Sequence, residues 1–316
     1  MNYRQVGHSG VRVSTVALGS WLTYGHSVED DIAARTILTA YDSGINFFDT
    51  ADVYNNHEAE IMLGDVLGEV PRTDLFIASK VYFPIGEGPN DRGLSRKHIF
   101  ESLEASLTSL DMDYLDLYQC HRYDEETPLE ETVRAMSDLI SQGVVHYWGV
   151  SMWSADQIRA ACRIADQING YRPVSNQPRY NLLKREIETN GVQQMCEDQG
   201  LGIIAFSPLA EGILTGKYAD GSIPPDSRAA HKGINRFVRR WITDENIQKS
   251  ARLVELAESL ETTPAVLSLA WLLRQPAMSS VIVGASKPAQ VEENVQAADL
   301  EIPDDILQQL DVIFPA

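Results

Sequence analysis

Eight short runs rich in β-branched and aromatic residues punctuate the chain, and an amphipathic helical pattern follows most of them. The runs are TVAL (15–18), INFFD (45–49), LFIAS (75–79), YLDLYQC (114–120), VVHYWGVS (144–151), PVSNQ (173–177), GIIAF (202–206) and SVIVG (280–284). The clearest helical stretches are 33–43, 95–110, 129–141, 155–168, 264–273 and 288–298, several opened by Ser or Pro. Strands alternating with helices read as repeated βα units, an α/β chain with parallel strands. Such strands close either as an open doubly wound sheet or as a barrel. The open sheet usually carries GxGxxG after its first strand. Here the first strand runs into Gly19-Ser20-Trp21, and nothing resembling that fingerprint follows. Eight units match the (β/α)8 TIM barrel, expected as one domain over residues 1–316. Two short alternating runs around Gly7-His8-Ser9-Gly10 predict an N-terminal β-hairpin capping the barrel's lower end. The stretch from Glu211 to Thr262, after the seventh barrel strand, exceeds an ordinary βα connection and is expected to be a functional loop.

The charge balance narrows the partners. With 45 acidic and 26 basic residues the net charge is −19, a field that repels nucleic acid and anionic membranes. No apolar run reaches the roughly 18 residues of a membrane span, and the start MNYRQVGHSGVRVS lacks a secretory apolar core. Three cysteines (Cys120, Cys162, Cys196) without a CxxC pair suit a reducing compartment, so a cytoplasmic location is expected. One segment reverses the charge. Between Lys217 and Arg240, six basic residues (Lys217, Arg228, Lys232, Arg236, Arg239, Arg240) face Asp220 and Asp226. This is either a solvated surface or a site for an anionic ligand.

In TIM barrels chemistry sits at the C-terminal ends of the strands. INFF is followed by Asp49-Thr50-Ala51-Asp52-Val53-Tyr54, LFIAS by Lys80 and YLDLYQC by His121. An acid, a phenol, an amine and an imidazole thus leave three consecutive strands on one face. A phenol near pKa 10 is a weak proton donor at neutral pH. An adjacent Lys80 ammonium is expected to lower that pKa, with Asp49 holding the lysine charged. A His donor would orient and polarise a carbonyl oxygen. Singly, each residue reads more simply as a solvated lysine, a packing tyrosine or a bystander histidine. Their joint placement is what points to catalysis.

INFFDTADVY resembles the strand-two signature of the aldo-keto reductases. Within that superfamily the similarity is greatest to the branch containing the voltage-gated potassium channel β subunits and related bacterial reductases. It is carried in order by GSWLTYG (19–25), AYDSGINFFDTADVY (40–54), RGLSRKHI (92–99), TPLEETVRAM (127–136), YWGVSMWS (147–154), FSPLAEGILTGKY (206–218) and GASKPAQVEEN (284–294). The resemblance implies a reductase of small-molecule aldehydes or ketones, with Tyr54 as acid and Asp49, Lys80 and His121 completing a tetrad. Channel β subunits carry Asn at the His121 position, so His121 favours turnover. The alternative is a cofactor-loaded β-subunit-like protein that docks onto a membrane partner. The absence of an extended N-terminal segment before the barrel is expected to favour the enzyme. The branch includes monomers and higher assemblies, so a homo-oligomer is compatible with it.

The same resemblance implies NADP(H). Ser151, with Met152 beside it, and Gln177 correspond to contacts of the nicotinamide carboxamide, and Phe206 to an aromatic stacked on the ring. Ser20 and Trp21 match positions beside the nicotinamide, near Asp49. Ser207, Pro208, Leu209 and Ala210 are expected to line the pyrophosphate through backbone N–H groups. Glu211, Lys217 and Arg228 follow as further cofactor contacts. Gly284, Ser286 and Lys287 lead into a helix whose start would take the 2′-phosphate, with Gln290, Glu293 and Asn294 toward the adenine or ribose. Departures from the family are Met152 for Asn or Arg, Phe206 for Tyr or Trp, and the carboxylates Glu211 and Asp226. Either carboxylate would weaken phosphate binding or point to solvent. Trp21, Tyr24, Tyr82, Phe83 and Trp153 are candidate pocket aromatics.

No metal is expected. His57-Glu58 lacks a second His three positions on, and no CxxC exists. Gly149 to Trp153 approaches a nucleophile elbow but ends in Trp, and Gly212 to Lys217 is one residue short of a P-loop. A lyase or isomerase built on a Schiff-base Lys80 would leave the cofactor motifs without a role.

Overall fold

The computed structural model describes residues 1–21, 24, 28–225, 227–230, 233 and 235–316. Two antiparallel strands, β1 (Tyr3–Gln5) and β2 (Arg12–Ser14), open the chain. Eight parallel strands then close a barrel: β3 (Val16–Gly19), β4 (Phe47–Asp49), β5 (Phe76–Val81), β6 (Leu115–Cys120), β7 (Val145–Ser151), β8 (Ser175–Gln177), β9 (Gly202–Ala205) and β10 (Met278–Val283). β10 pairs with β3 to complete the ring. Around it lie α1 (Asp30–Asp42), α2 (Glu58–Leu67), α3 (Arg96–Leu110), α4 (Leu129–Gln142), α5 (Ala155–Gln167), α6 (Val192–Gln199), α7 (Asn235–Arg239), α8 (Asp244–Ser259), α9 (Pro264–Leu273), α10 (Pro288–Asn294) and α11 (Asp304–Ile313). The (β/α)8 barrel and its hairpin are therefore as the strand–helix alternation predicts.

Local chemistry explains where helices begin. The Ser95 hydroxyl accepts the His98 amide at the start of α3, and Ser154 forms a reciprocal capping box with Gln157 at α5. Thr263 caps α9, whose first residue is Pro264. The last predicted helix is shorter than its pattern, because 295–298 tightens into a 3-10 turn. The stretch 211–262 is no continuous loop. It holds part of a 3-10 turn (Ala210–Thr215), then α7 and α8, and α8 buries Ser250, Leu253, Leu256 and Ala257 at helical spacing.

The core has two parts. Inside the barrel, Ala17, Phe47, Phe76, Ala78, Leu117, Ile204 and Ile282 pack with Val6 and Val13 from the hairpin region. Phe47 and Phe76 meet edge to face at 5.0 Å. The hairpin thus seals the lower end. Gly7 makes this possible: its φ is +55°, and a Cβ there would stand 2.3 Å from the Gly200 carbonyl oxygen. The second, larger core lies between strands and helices and includes Trp148, Trp271 and Phe314. Among the described residues no helix is long and apolar enough to cross a membrane.

Candidate active site

Strand register delivers the four predicted catalytic side chains to the upper rim. Asp49 pairs with Ala78 across β4 and β5, and Lys80 pairs with Gln119 across β5 and β6. β5 runs past its predicted end to Val81, so Lys80 lies within the strand and points into the barrel with no exposed surface. Its ammonium donates to the Asp49 carboxylate at 2.5 Å, the Thr50 carbonyl at 2.6 Å and the Tyr54 hydroxyl at 3.3 Å. The other Asp49 oxygen accepts from Gln177 at 2.9 Å and Gln119 at 3.4 Å. A buried lysine is tolerable only with such compensation. The His121 ring lies edge-on to Tyr54, centroids 5.7 Å apart, and edge-on to Phe83 at 4.9 Å. Asp49, Tyr54, Lys80 and His121 form one cluster.

Electrostatics assigns protonation states. Burial pulls the Lys80 pKa down, but the Asp49 charge and the Tyr54 hydroxyl more than offset this and hold it above the usual lysine value. For Tyr54, burial pushes the phenol up and outweighs the Lys80 charge that pulls it down. The expected net lowering of the tyrosine pKa is therefore corrected. The lysine acts in the expected direction, yet desolvation is larger, and Tyr54 stays a neutral O–H donor at physiological pH. Burial, reinforced by Lys80 and Arg122, drives His121 well below the normal imidazole value, so it is neutral. Its Nδ1 is buried without a hydrogen-bond partner among the described residues.

A polar network underlies the Tyr54 loop. Asn55, Asn56 and His57 take φ of 50°, 52° and 72° in succession, which turns the chain into α2. His57 Nδ1 contacts the buried Glu60 at 2.6 Å, and Glu60 accepts from Ser79 at 2.5 Å. Asp52, fully buried beside it, accepts from Ser102 at 2.8 Å and from the Val53 amide. Burial raises the Asp52 carboxyl to about 7 despite those bonds, with Glu60 adding to the rise.

From this cluster a cavity of about 1120 Å³ runs across the rim to the start of α10. Trp21, Asp49, Tyr54, Gln177, Phe206, Ser207, Pro208, Leu209, Glu211, Lys217, Arg228, Gly284, Ser286, Lys287, Gln290, Glu293 and Asn294 all line it. Four predicted cofactor contacts are not among its lining residues. The Ser20 hydroxyl is buried against the Asp49 carbonyl and Thr50, and Ser151 donates to the Gln177 carbonyl at 2.9 Å. Met152 is exposed, its sulfur accepting the Arg179 amide at 3.3 Å, and Ala210 is buried. The expected row of four backbone donors is also corrected. Pro208 has no N–H, and the Ala210 N–H is donated to Ser207. At the far end the Ser286 amide is taken by Gln290 at 2.7 Å, so positive charge there rests on the Lys287 side chain.

The sequence model of the Aldo/keto reductase family matches residues 15–314. The chain belongs to the aldo/keto reductase family. It is 42% identical over 302 residues to a protein described as "Probable voltage-gated potassium channel subunit beta" from Arabidopsis thaliana. It is equally similar to a protein of that description from Oryza sativa subsp. japonica. Each alignment covers 95% of this chain and 92% of the relative. Members of this family are oxidoreductases that generally use NAD(P)H.

In this aldo/keto reductase family member the structure adds residues that sequence reasoning missed. Gln119 had a legible signal: two-residue alternation from Leu117, an inner-core residue, carries it to the inward face. Phe237 of α7 packs edge-on against Trp21 at 5.1 Å, which lies far outside any local pattern. Glu211 does not face solvent. Its φ is +54°, and its buried carboxylate accepts from Ser207 at 3.2 Å and Arg240 at 3.4 Å, with Arg179 at 3.8 Å. Asp226 and Lys232 lie outside the described residues. Of the candidate pocket aromatics, Tyr24 and Trp153 are buried core residues, whereas Tyr82 and Phe83 stack edge to face beside His121.

Proposed function

We propose that this chain is an NADP(H)-dependent reductase of small-molecule aldehydes or ketones. The observation that carries the reading is the Lys80 ammonium bridging Asp49 and the Tyr54 hydroxyl, both of which line the cavity. A bound NADP(H) would supply the hydride and be oxidised, while the carbonyl gains that hydride and one proton. Tyr54 donates the proton to the carbonyl oxygen, and the Lys80 charge, fixed by Asp49, stabilises the phenolate left behind. Neutral His121 donates an N–H toward the same oxygen and orients it without adding a charge that would compete with Lys80.

The donor set fits the cofactor. Gln177 gives its N–H to Asp49, leaving its carbonyl oxygen to accept from a carboxamide. Phe206 offers a ring face, and Lys217, Arg228 and Lys287 line the cavity as cations in a chain of net charge −19. Arg228 is half-buried with no carboxylate in ion-pair contact among the described residues, and burial lowers its pKa. A phosphate would supply that missing charge. Lys287 and Ser286 would hold a 2′-phosphate, with Gln290, Glu293 and Asn294 toward the adenosine.

NADPH oxidation followed against a panel of aldehydes tests the reading. Aldehyde-dependent oxidation that Tyr54→Phe abolishes supports it, and none with any carbonyl compound refutes it. The relatives' description as channel β subunits supports a second reading, docking onto a membrane partner. Specific capture of a channel protein from membranes by a turnover-incompetent chain would favour that instead.

A further inference from the structure

Beside the catalytic cluster, outside the lining of the large cavity, stands a cation that neither the tetrad nor the cofactor phosphates explain. Arg122 follows His121 directly in the chain and is only half-exposed. Its guanidinium donates to the His121 carbonyl, lies 3.5 Å from the Ser151 hydroxyl and sits over the Phe83 ring at 5.3 Å. No carboxylate among the described residues forms an ion pair with it. The nearest acid in sequence, Asp124, is turned away to the Leu94 and Glu126 amides and the Thr127 hydroxyl. Burial lowers the Arg122 pKa, and the anionic forms of Tyr54 and Tyr82 are the groups that would raise it.

A second arginine adds to this charge. Arg179 lies over the Phe206 ring at 5.2 Å, and its Nε is buried without a hydrogen-bond partner among the described residues. It lies close enough to Arg122 that the two repel. Among the described residues its one ion pair, with Glu211 at 3.8 Å, is shared with Arg240, and Glu186 adds only a more distant negative charge. A desolvated guanidinium without a counter-charge is costly, the more so beside another. In a chain of net charge −19 such a pair stands out. Arg228, Lys217 and Lys287 already line the cavity toward its cofactor end, whereas Arg122 stands beside His121 and within electrostatic reach of Tyr54.

We infer that Arg122, assisted by Arg179, forms an anion subsite next to Tyr54 and His121, selecting aldehydes or ketones that carry a carboxylate or phosphate near the carbonyl. The inference rests on the reductase reading above and names its substrate class. The subsite would place the anionic group beside Phe83, whose ring Arg122 covers, and the carbonyl toward Tyr54. Its planar fork suits either oxyanion.

Matched substrates test it with the NADPH-loaded protein: 4-carboxybenzaldehyde against benzaldehyde, succinic semialdehyde against butanal, and glyceraldehyde 3-phosphate against glyceraldehyde. The charged member of at least one pair is expected to have a kcat/KM about tenfold or more above its neutral partner. The pairs separate a carboxylate preference from a phosphate preference. Arg122→Gln is expected to bring that ratio near unity mainly through KM, and Arg122→Lys to restore part of it. Added salt should raise KM for the charged substrate far more than for the neutral one. Turnover of both members at equal efficiency, with the ratio unmoved in Arg122→Gln, overturns the inference and leaves the reductase reading intact. If no aldehyde is reduced, calorimetric titration with benzoate and benzamide decides the subsite separately. Benzoate binding that Arg122→Gln removes supports the subsite while overturning the reductase reading, and equal weak binding of both overturns both.

Discussion

Lys80 and Asp49 form a buried ion pair at 2.5 Å, and almost none of either side chain is exposed. Removing one partner leaves the other charged with almost none of its surface open to solvent. Lys80→Met is expected to cost about 3–5 kcal/mol of folding stability. The double variant Asp49→Asn/Lys80→Met should recover a substantial part of that loss, because no orphaned charge remains. Urea unfolding of both single variants and the double variant gives the coupling directly, and strict additivity would show that the pair is not coupled.

Tyr54 is expected to matter for chemistry and hardly for cofactor affinity. Tyr54→Phe keeps the ring beside His121 and deletes the hydroxyl that Lys80 contacts. Turnover should fall about 10²–10⁴-fold, with NADPH affinity measured by fluorescence titration nearly unchanged. A matching loss of NADPH binding would assign Tyr54 to the cofactor site instead.

His121 should leave a signature in stability against pH. Burial holds its folded pKa well below the unfolded value of about 6.5. Between those values the unfolded chain binds the extra proton. Its contribution is therefore fully present above about pH 6.5 and declines as pH falls. His121→Asn should flatten that part of the curve between pH 4.5 and 7.5, read as Tm in matched buffers. An unchanged slope would mean the imidazole is protonated in the folded state.

Asp52 works in the opposite direction. Its carboxyl is raised to about 7 by burial, with Glu60 nearby. The folded state then keeps a proton that the unfolded chain has released. Stability from this group is full below about pH 4 and is lost as pH rises through 7. Asp52→Asn keeps an acceptor for Ser102 and removes the charge. It should stabilise the protein at pH 8 by roughly 2–4 kcal/mol relative to its effect at pH 4.5. Equal effects at both values would show the carboxyl titrating normally.

Lys287 is expected to set the choice of dinucleotide. Lys287→Glu should raise KM for NADPH by about tenfold or more and leave KM for NADH little changed. Unaltered NADPH kinetics would remove this lysine from the proposed phosphate contacts.

The barrel was legible because eight strand runs and their helices keep their own periods, and the cluster because strand ends in such a barrel share one face. Lys80 shows the limit of that reading: it seemed to follow a strand, whereas β5 continues to Val81 and buries it. The sign of the Tyr54 shift depended on how deeply the phenol is buried, which no spacing supplies. Arg179, Phe237 and Arg240 reach the rim from segments far apart in sequence, so only the closed fold brings them together. Ser20 and Ser151 fell at the expected strand ends, but their hydroxyls turn to neighbouring backbone or loop groups, a matter of rotamer and not of position.

The hairpin plug has a kinetic corollary. With Val6 and Val13 packed beneath Phe47 and Phe76, the lower end of the barrel axis is filled and, among the described residues, offers no rear exit. Whatever reaches Tyr54 arrives and departs across one threshold. On the reductase reading, release is expected to be last in, first out, with the molecule seated deepest setting the pace at which the doorway clears.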